Sequence, residues 1–224
     1  MSVSAVTLDA HGVLLLPDPA ALRCALAPFD VHPDDDTCWR VHFEMVNLID
    51  QYVEPNWHEV RRSMAAAFGL SAQQVDDAAP IVAAVYLNEP WIAAPGAKDS
   101  IVRLVSSDHS LAVVANSTHG QVEQWLADAG LCSIVGPLPK VACVLDSHVV
   151  GFAKPDRRIF DMALTNLGIS ADECLHVGDS VQTDVVGARA AGITPVHVDP
   201  YGFCESAHHD HSMSLEGVVN ELLG

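Results

Sequence analysis

The sequence predicts an α/β fold, a Rossmann-like parallel sheet core with a small helical cap domain inserted into it. Three observations predict it. From Ile92 onward, short β-rich apolar runs alternate with amphipathic helical stretches. The first such run, Ala5-Val6-Thr7-Leu8-Asp9, ends at a carboxylate, with Gly12 close behind. Between them, residues 17–90 carry helical periodicity alone.

Ala5–Asp9 reads as a buried strand opening into a loop. The insert shows apolar residues at helical spacing, first at Val41, Met45, Leu48 and Ile49, then at Val60, Met64, Ala67 and Phe68. Its stretches are broken at Pro33–Asp36, at Glu54-Pro55 and at Gly69-Leu70-Ser71. Beyond it, Leu111–Ala115 is a strand, and Gln121–Gly130 is a helix with Val122, Trp125, Leu126 and Ala129 on one face. Cys143–Leu145 is a strand, and Asp156–Leu167 is a helix stopped by Gly168. Cys174–Val177 is a strand ending at Gly178-Asp179, Val181–Ala191 a helix stopped by Gly192, and Thr194–Val198 the last strand. Repeated strand–helix units imply parallel pairing with right-handed crossovers. Ligands in such sheets bind beyond the carboxyl ends of the strands. Asp9, Ala115-Asn116 and Asp179 fall at those ends. The expected division is a core of 1–16 and 91–224 and a cap of 17–90.

The chain has 11 Lys+Arg against 29 Asp+Glu, a formal net charge of −18. That excess argues against nucleic acid and against an anionic membrane surface as partners. It leaves a small anionic substrate open, since a local site can be positive in an acidic protein. The six cysteines form no CxxC pair, and Cys143 and Cys174 lie in apolar runs that suggest inert buried thiols. No signal peptide or long apolar span is visible, so a cytoplasmic protein is expected.

Four features occur in order: Asp9-Ala10-His11-Gly12 after the first strand, Ala115-Asn116-Ser117 after a later one, Lys154-Pro155-Asp156 before a helix, and Gly178-Asp179 with Asp184 five residues on. This series resembles the haloacid dehalogenase (HAD) superfamily, with a helical cap inserted after the first motif, over nearly the whole chain. The resemblance implies a hydrolase, foremost a phosphatase of a small phosphorylated metabolite. Asp9 would be the nucleophile. Lys154 would neutralise the transferring group. Asn116, Ser117 and Lys154 would contact substrate. Mg²⁺ would be held by Asp9, Asp179, Asp184 and the main-chain carbonyl of His11.

Two positions depart from the family pattern. His11 stands where phosphatases of this family carry the acid/base Asp. A histidine titrates near neutrality and is competent for that task. Ala115 stands where a Ser or Thr holds the phosphoryl group, and alanine offers no donor. Two alternatives follow: a catalytically impaired protein that binds a ligand or partner, and a 2-haloacid dehalogenase-like hydrolase. A Schiff-base mechanism would need a cap lysine, and the three lysines, Lys98, Lys140 and Lys154, all lie outside the insert.

Smaller features receive plainer readings. His208-His209-Asp210-His211 resembles a metal tract but reads as a solvated loop before a C-terminal apolar helix (Leu215, Val218, Val219, Leu222). Asp34–Asp36 suits a helix N-terminus. Trp39, Phe43, Tyr52, Trp57 and Tyr86 read as helical core packing, and Arg23, Arg40, Arg61 and Arg62 are the cations a second substrate anion would meet.

Overall fold

The computed structural model describes residues 3–52, 54–88 and 91–224. The chain divides into two compact units, one of Met1–Leu15 with Ala93–Gly224 and one of Leu16–Ile92. The expected end of the insert at Pro90 lies outside the described residues.

The first unit is built on six parallel strands: β1 (Ala5–Leu8), β4 (Ser110–Ala115), β5 (Val144–Asp146), β6 (Cys174–Gly178), β7 (Thr194–Val198) and β8 (Asp210–Ser212). Their spatial order is β5-β4-β1-β6-β7-β8. The central strand β1 is buried throughout and apolar but for Thr7, as befits a strand covered on both faces. Leu8 pairs with Val113 on one side and with Val177 on the other. The chain ends of β1, β4 and β6 therefore lie side by side, which delivers Asp9, Asn116 and Asp179 to one edge of the sheet.

Helices α5 (Ala97–Ser106), α6 (Val122–Asp128), α7 (Ser147–Val150), α8 (Arg157–Leu167), α9 (Val186–Ala190) and α10 (Leu215–Leu223) complete this unit. α8 shows why they form where they do. Asp156 caps its first turn by accepting from Arg158 N, and Gly168 closes it in the left-handed conformation at φ 71°. Its apolar stripe of Ile159, Phe160 and Ala163 packs with Ala112, Val114, Leu145 and Ala188.

One expected helix is two structures. Val181–Val185 is a π-helical turn, and only Val186–Ala190 is α-helical. The carbonyl of Ser180 receives the N–H of both Asp184 and Val185, which widens the turn. The expected solvated loop at 208–211 is also corrected. Asp210–Ser212 forms the edge strand β8, parallel to β7, with His197 opposite His211.

The second unit carries α1 (Pro19–Leu26), α2 (Asp35–Ile49), α3 (Trp57–Ala67) and α4 (Val75–Asn88). They pack around Leu22, Val41, Met45, Met64 and Val82. Asp34 caps α2 by accepting from Thr37 N, with Asp35 and Asp36 in its first turn. The segments that enter and leave the insert, β2 (Leu15–Pro17) and β3 (Trp91–Ala93), form a two-stranded sheet. Phe43 is buried in this unit, whereas Tyr52 and Trp57 are exposed and do not join the core expected of them. Among the insert's arginines, Arg23 pairs with Asp35, Arg40 with Glu44, and Arg62 with Asp76.

Candidate active site

At the carboxyl edge of the sheet, three carboxylates and one ammonium are buried together. Asp9, Lys154, Asp179 and Asp184 are each less than 7% exposed. Asp9 follows β1, and its own N–H is anchored on Val177 O at 2.8 Å, so the strand pairing fixes where the carboxylate starts. Its Oδ1 accepts from Ala10 N at 2.6 Å and pairs with Lys154 Nζ at 2.8 Å. The same ammonium lies 2.6 Å from Asp184 Oδ1.

Lys154 is placed by Asn116. Lys154 N–H donates to Asn116 Oδ1 at 2.8 Å, and Asn116 Nδ2 donates to Lys154 O at 3.0 Å. The amide expected to contact substrate thus has both polar ends on the Lys154 peptide. Ser117 is committed in a similar way. Its hydroxyl donates to Asp146 Oδ1 at 2.6 Å and accepts from Gly120 N, while its N–H donates to Ser147 Oγ.

Asp184 is held on all sides. Beyond Lys154, its Oδ1 receives His176 Nε2 at 2.9 Å. Its Oδ2 accepts from Ser180 N and from Thr183 Oγ1. His176 is fully buried on β6, and its Nδ1 lies 2.9 Å from the hydroxyl of Thr7, its register partner on β1. A carboxylate only accepts, so Nε2 carries the proton and Nδ1 accepts from Thr7. No sequence motif marks Thr7, His176 or Thr183. A polar pair inside two apolar strands was the available signal, because buried polar groups need partners.

Two glycines make room for this packing. A Cβ on Gly12, which sits at φ +75°, would come within 1.9 Å of Asp179 Oδ2. A Cβ on Gly178 would come within 2.2 Å of Asp184 Cγ. His11 lies in the turn after β1, bridging to Leu15, and its ring meets the edge of Trp125 at 5.8 Å between centroids. Ala115 is fully buried at the end of β4.

Charge is unbalanced in this cluster. Burial pushes the Asp9 carboxyl up to about 8, Lys154 opposes this, and Asp184 and Asp179 add to the rise. For Asp184, burial acts upward, but Lys154 and His176 outweigh it and hold the carboxyl well below its usual range. Burial works against the Lys154 ammonium, yet Asp184 and Asp9 more than offset it and stabilise the charged form. Burial keeps His176 below its ordinary value. Three buried carboxylates facing one ammonium form a set that a divalent cation would neutralise. Oxygens of Asp9, Asp179 and Asp184 lie within 4.8 Å of one another. An all-oxygen donor set of this kind fits a hard cation.

The histidine tract of 208–211 lies elsewhere. His209 and His211 gather with His197 and Cys204 beside β7 and β8. Burial, with His211 and His197 adjacent, pushes His209 down to about 4, so its ring is neutral at pH 7.

No helix among the described residues is long and apolar enough to cross a membrane. Among curated relatives, the chain is 32% identical over 212 residues to the phosphoglycolate phosphatase of Rhodospirillum rubrum, covering 89% of this chain and 80% of that one. It is 40% identical over 90 residues to the phosphoserine phosphatase of Thermus thermophilus, covering 40% of this chain and 34% of that protein, so the match spans about a third of this relative's length. A solved structure of the HAD-hydrolase YfnB from Bacillus subtilis, bound to magnesium, superposes with a TM-score of 0.66 at 19% identity over 99% of both chains. The family model for haloacid dehalogenase-like hydrolases matches residues 3–192, and with the parallel sheet and its carboxyl-edge cluster this places the chain in the haloacid dehalogenase-like hydrolase family.

Proposed function

We propose that this hydrolase is a phosphatase that moves a phosphoryl group from a small metabolite to Asp9 and then to water. The observation that carries this reading is the buried Asp9–Lys154–Asp184 chain of contacts at 2.8 and 2.6 Å. The match to phosphoglycolate phosphatase over most of both chains supports it.

Asp9 Oδ1 is held by Lys154 and by the Ala10 N–H, which leaves attack on phosphorus to Oδ2. The P–O bond to the leaving alcohol breaks as the aspartyl-phosphate forms, and water then attacks phosphorus to release phosphate and regenerate the carboxylate. Lys154 offsets the charge on Asp9 and on the phosphoryl oxygens near it. Asp184, gripped by His176 and Thr183, fixes the position of that ammonium. Asp9, Asp179 and the carbonyl of His11 would hold Mg²⁺, with Asp184 bordering them, and the ion would supply positive charge to the phosphoryl oxygens. His11 would protonate the leaving alcohol and later take a proton from water, with Trp125 steadying its ring. We assign the choice of metabolite to the helical insert, acting as a cap, which the chain enters seven residues after Asp9.

Steady-state hydrolysis of a panel of phosphate monoesters, with Mg²⁺ and with EDTA, tests the proposal. Metal-dependent turnover that disappears in Asp9→Asn is the expected result. Turnover that persists in Asp9→Asn would end it, and chloride release from a 2-haloacid without phosphatase activity would replace it with dehalogenation.

A further inference from the structure

We propose that His197, Cys204, His209 and His211 form a second metal site, distinct from the carboxylate cluster, that takes Zn²⁺ and ties the sheet edge to the active site. One ligand atom from each of the four residues lies within 4.8 Å of every other.

The placement follows from strand geometry. β7 and β8 pair in parallel with His197 opposite His211, so the two side chains share a face. His209 sits in the bend just before β8, and its ring lies 4.4 Å from that of His211 and 5.1 Å from that of His197, centroid to centroid. Cys204 reaches the same point by a held turn: Asp199 accepts from Phe203 N at 3.1 Å and from Cys204 N at 2.7 Å. Arg189 donates to the carbonyl of His208, anchoring the approach to the strand.

Two of the ligand pairs stand at the separations a tetrahedral ion needs. At zinc bond lengths, tetrahedral geometry sets two nitrogens about 3.3 Å apart and a nitrogen and a sulfur about 3.6 Å apart. His197 Nδ1 and His209 Nε2 are 3.2 Å apart, and Cys204 Sγ is 3.7 Å from His209 Nε2. The outer contact is also in place. His197 Nε2 lies 2.9 Å from the main-chain oxygen of Asp179, which can only accept, so Nε2 carries the proton and Nδ1 presents its lone pair. Zinc-bound histidines are oriented by such donation from the second ring nitrogen.

Three imidazoles and a thiolate suit zinc over magnesium, whereas the carboxylate cluster suits the reverse. Four protein ligands make a closed site, which is structural. It also accounts for β8. This strand has three polar residues, two of them exposed, and no apolar face to hold it on the sheet. A bound ion would hold it, and would fix through His197 the peptide of Asp179.

The test uses the full chain, stripped with a chelator and titrated with Co²⁺ and then Zn²⁺. One equivalent of Co²⁺ should give the intense visible bands of a tetrahedral ion with a thiolate charge-transfer band, and Zn²⁺ should displace it. Cys204→Ser should lose the charge-transfer band. His209→Ala should weaken the site beyond the about 10–100-fold that a lost supporting contact costs. Asp9→Asn should retain the full spectrum, which separates this site from the carboxylates. A charge-transfer band that survives Cys204→Ser, or the absence of any saturable tetrahedral signal, overturns the proposal. X-ray absorption on the zinc-loaded wild-type chain decides the matter if the variants fail to fold. A shell of nitrogens with one sulfur at about 2.3 Å is expected, and an all-oxygen shell refutes it.

Discussion

His176 donates from Nε2 to Asp184 Oδ1 across 2.9 Å, onto the oxygen that also receives Lys154. Because Thr7 holds the other ring nitrogen, a chain of contacts runs from β1 through β6 to the carboxylate that positions the ammonium. His176→Leu removes the donor and leaves Thr7 and Asp184 each short of a buried partner. We expect a stability loss of about 1–3 kcal/mol and a fall in kcat of roughly 10-fold or more as Lys154 loses its fixed position, with a smaller change in KM. His176→Gln, which can still donate, should recover part of both. Thermal melts and steady-state kinetics check this, and a folded His176→Leu protein with unchanged kcat would remove His176 from the positioning chain.

Lys154 balances two buried carboxylates at once, so its loss should be strongly context-dependent. Lys154→Met leaves Asp9 and Asp184 without their common counter-charge, and breaking a buried pair from one side costs about 3–5 kcal/mol. In an Asp9→Asn background one of those charges is already gone, and the same change should cost less. Urea denaturation of the four chains in a double-mutant cycle at pH 9, where Asp9 is ionised, reads the difference. Additive penalties would mean that Asp9 and Lys154 are not coupled.

Burial raises Asp9 to about 8, and this gives the metal-free chain a pH signature. Between its ordinary value of 3.8 and about 8, the folded state keeps a proton that the unfolded chain has released. The associated stability is complete below 3.8 and is lost as pH rises through about 8. His176 and His209 are depressed below 6.5 and act in the opposite sense, but their effect is complete once pH exceeds 6.5. Asp184 is held low, so its contribution is present above 3.8 and changes only on acidification. Lys154 is raised above 10.5 and acts only in strong base. From pH 7 to 9, Asp9 therefore dominates among these groups. In EDTA the Tm of wild type should fall over that range relative to Asp9→Asn, and added Mg²⁺ should raise the Tm of wild type more at pH 9 than at pH 7. Parallel Tm curves for the two proteins would show that Asp9 does not titrate there.

The sheet was legible because its strands obey local rules. β1, β4 and β6 are β-rich apolar runs, and Gly130, Gly168 and Gly192 close their helices at positive φ. Asp9, Lys154, Asp179 and Asp184 could be named from motif order, and they meet because β1 pairs with β6 on one side and with β4 on the other, where Asn116 holds the Lys154 peptide. What escaped was cooperative. β8 is three polar residues long, and its place on the sheet depends on its partner β7 rather than on any pattern of its own. Asn116 was expected at the substrate, but only the fold brings the Lys154 peptide to its amide. The π-helical turn depends on a bifurcated bond at Ser180 O that no periodicity announces.

Gly12 is required on two grounds, and each predicts the same outcome for Gly12→Ala. The left-handed conformation at φ +75° costs a non-glycine residue roughly 1–2 kcal/mol. The new methyl would also fall 1.9 Å from Asp179 Oδ2, so the carboxylate must move. Mg²⁺-induced stabilisation should shrink or vanish while the helical insert stays folded. Circular dichroism with and without Mg²⁺ tests this, and a wild-type metal response in Gly12→Ala would take Asp179 out of the ligand set.

Ala115 sits fully buried at the end of β4, aligned with Asp146 on β5, where its methyl offers a phosphoryl oxygen no hydrogen bond. The nearby hydroxyl of Ser117 already donates to Asp146 and so does not replace the missing donor. If an absent donor limits the rate, Ala115→Ser should raise kcat, by up to about 10²-fold, since one well-placed donor to a developing charge is worth that much. His11→Asp supplies the alternative acid/base group and addresses a different step, proton transfer to the leaving oxygen. Together the two changes should raise kcat by more than either does alone, and the pH–rate profile should shift only in the chains that carry His11→Asp. Equal turnover in wild type and Ala115→Ser would mean that main-chain N–H groups hold the phosphoryl oxygens, and a profile unmoved by His11→Asp would mean that proton transfer runs through another group.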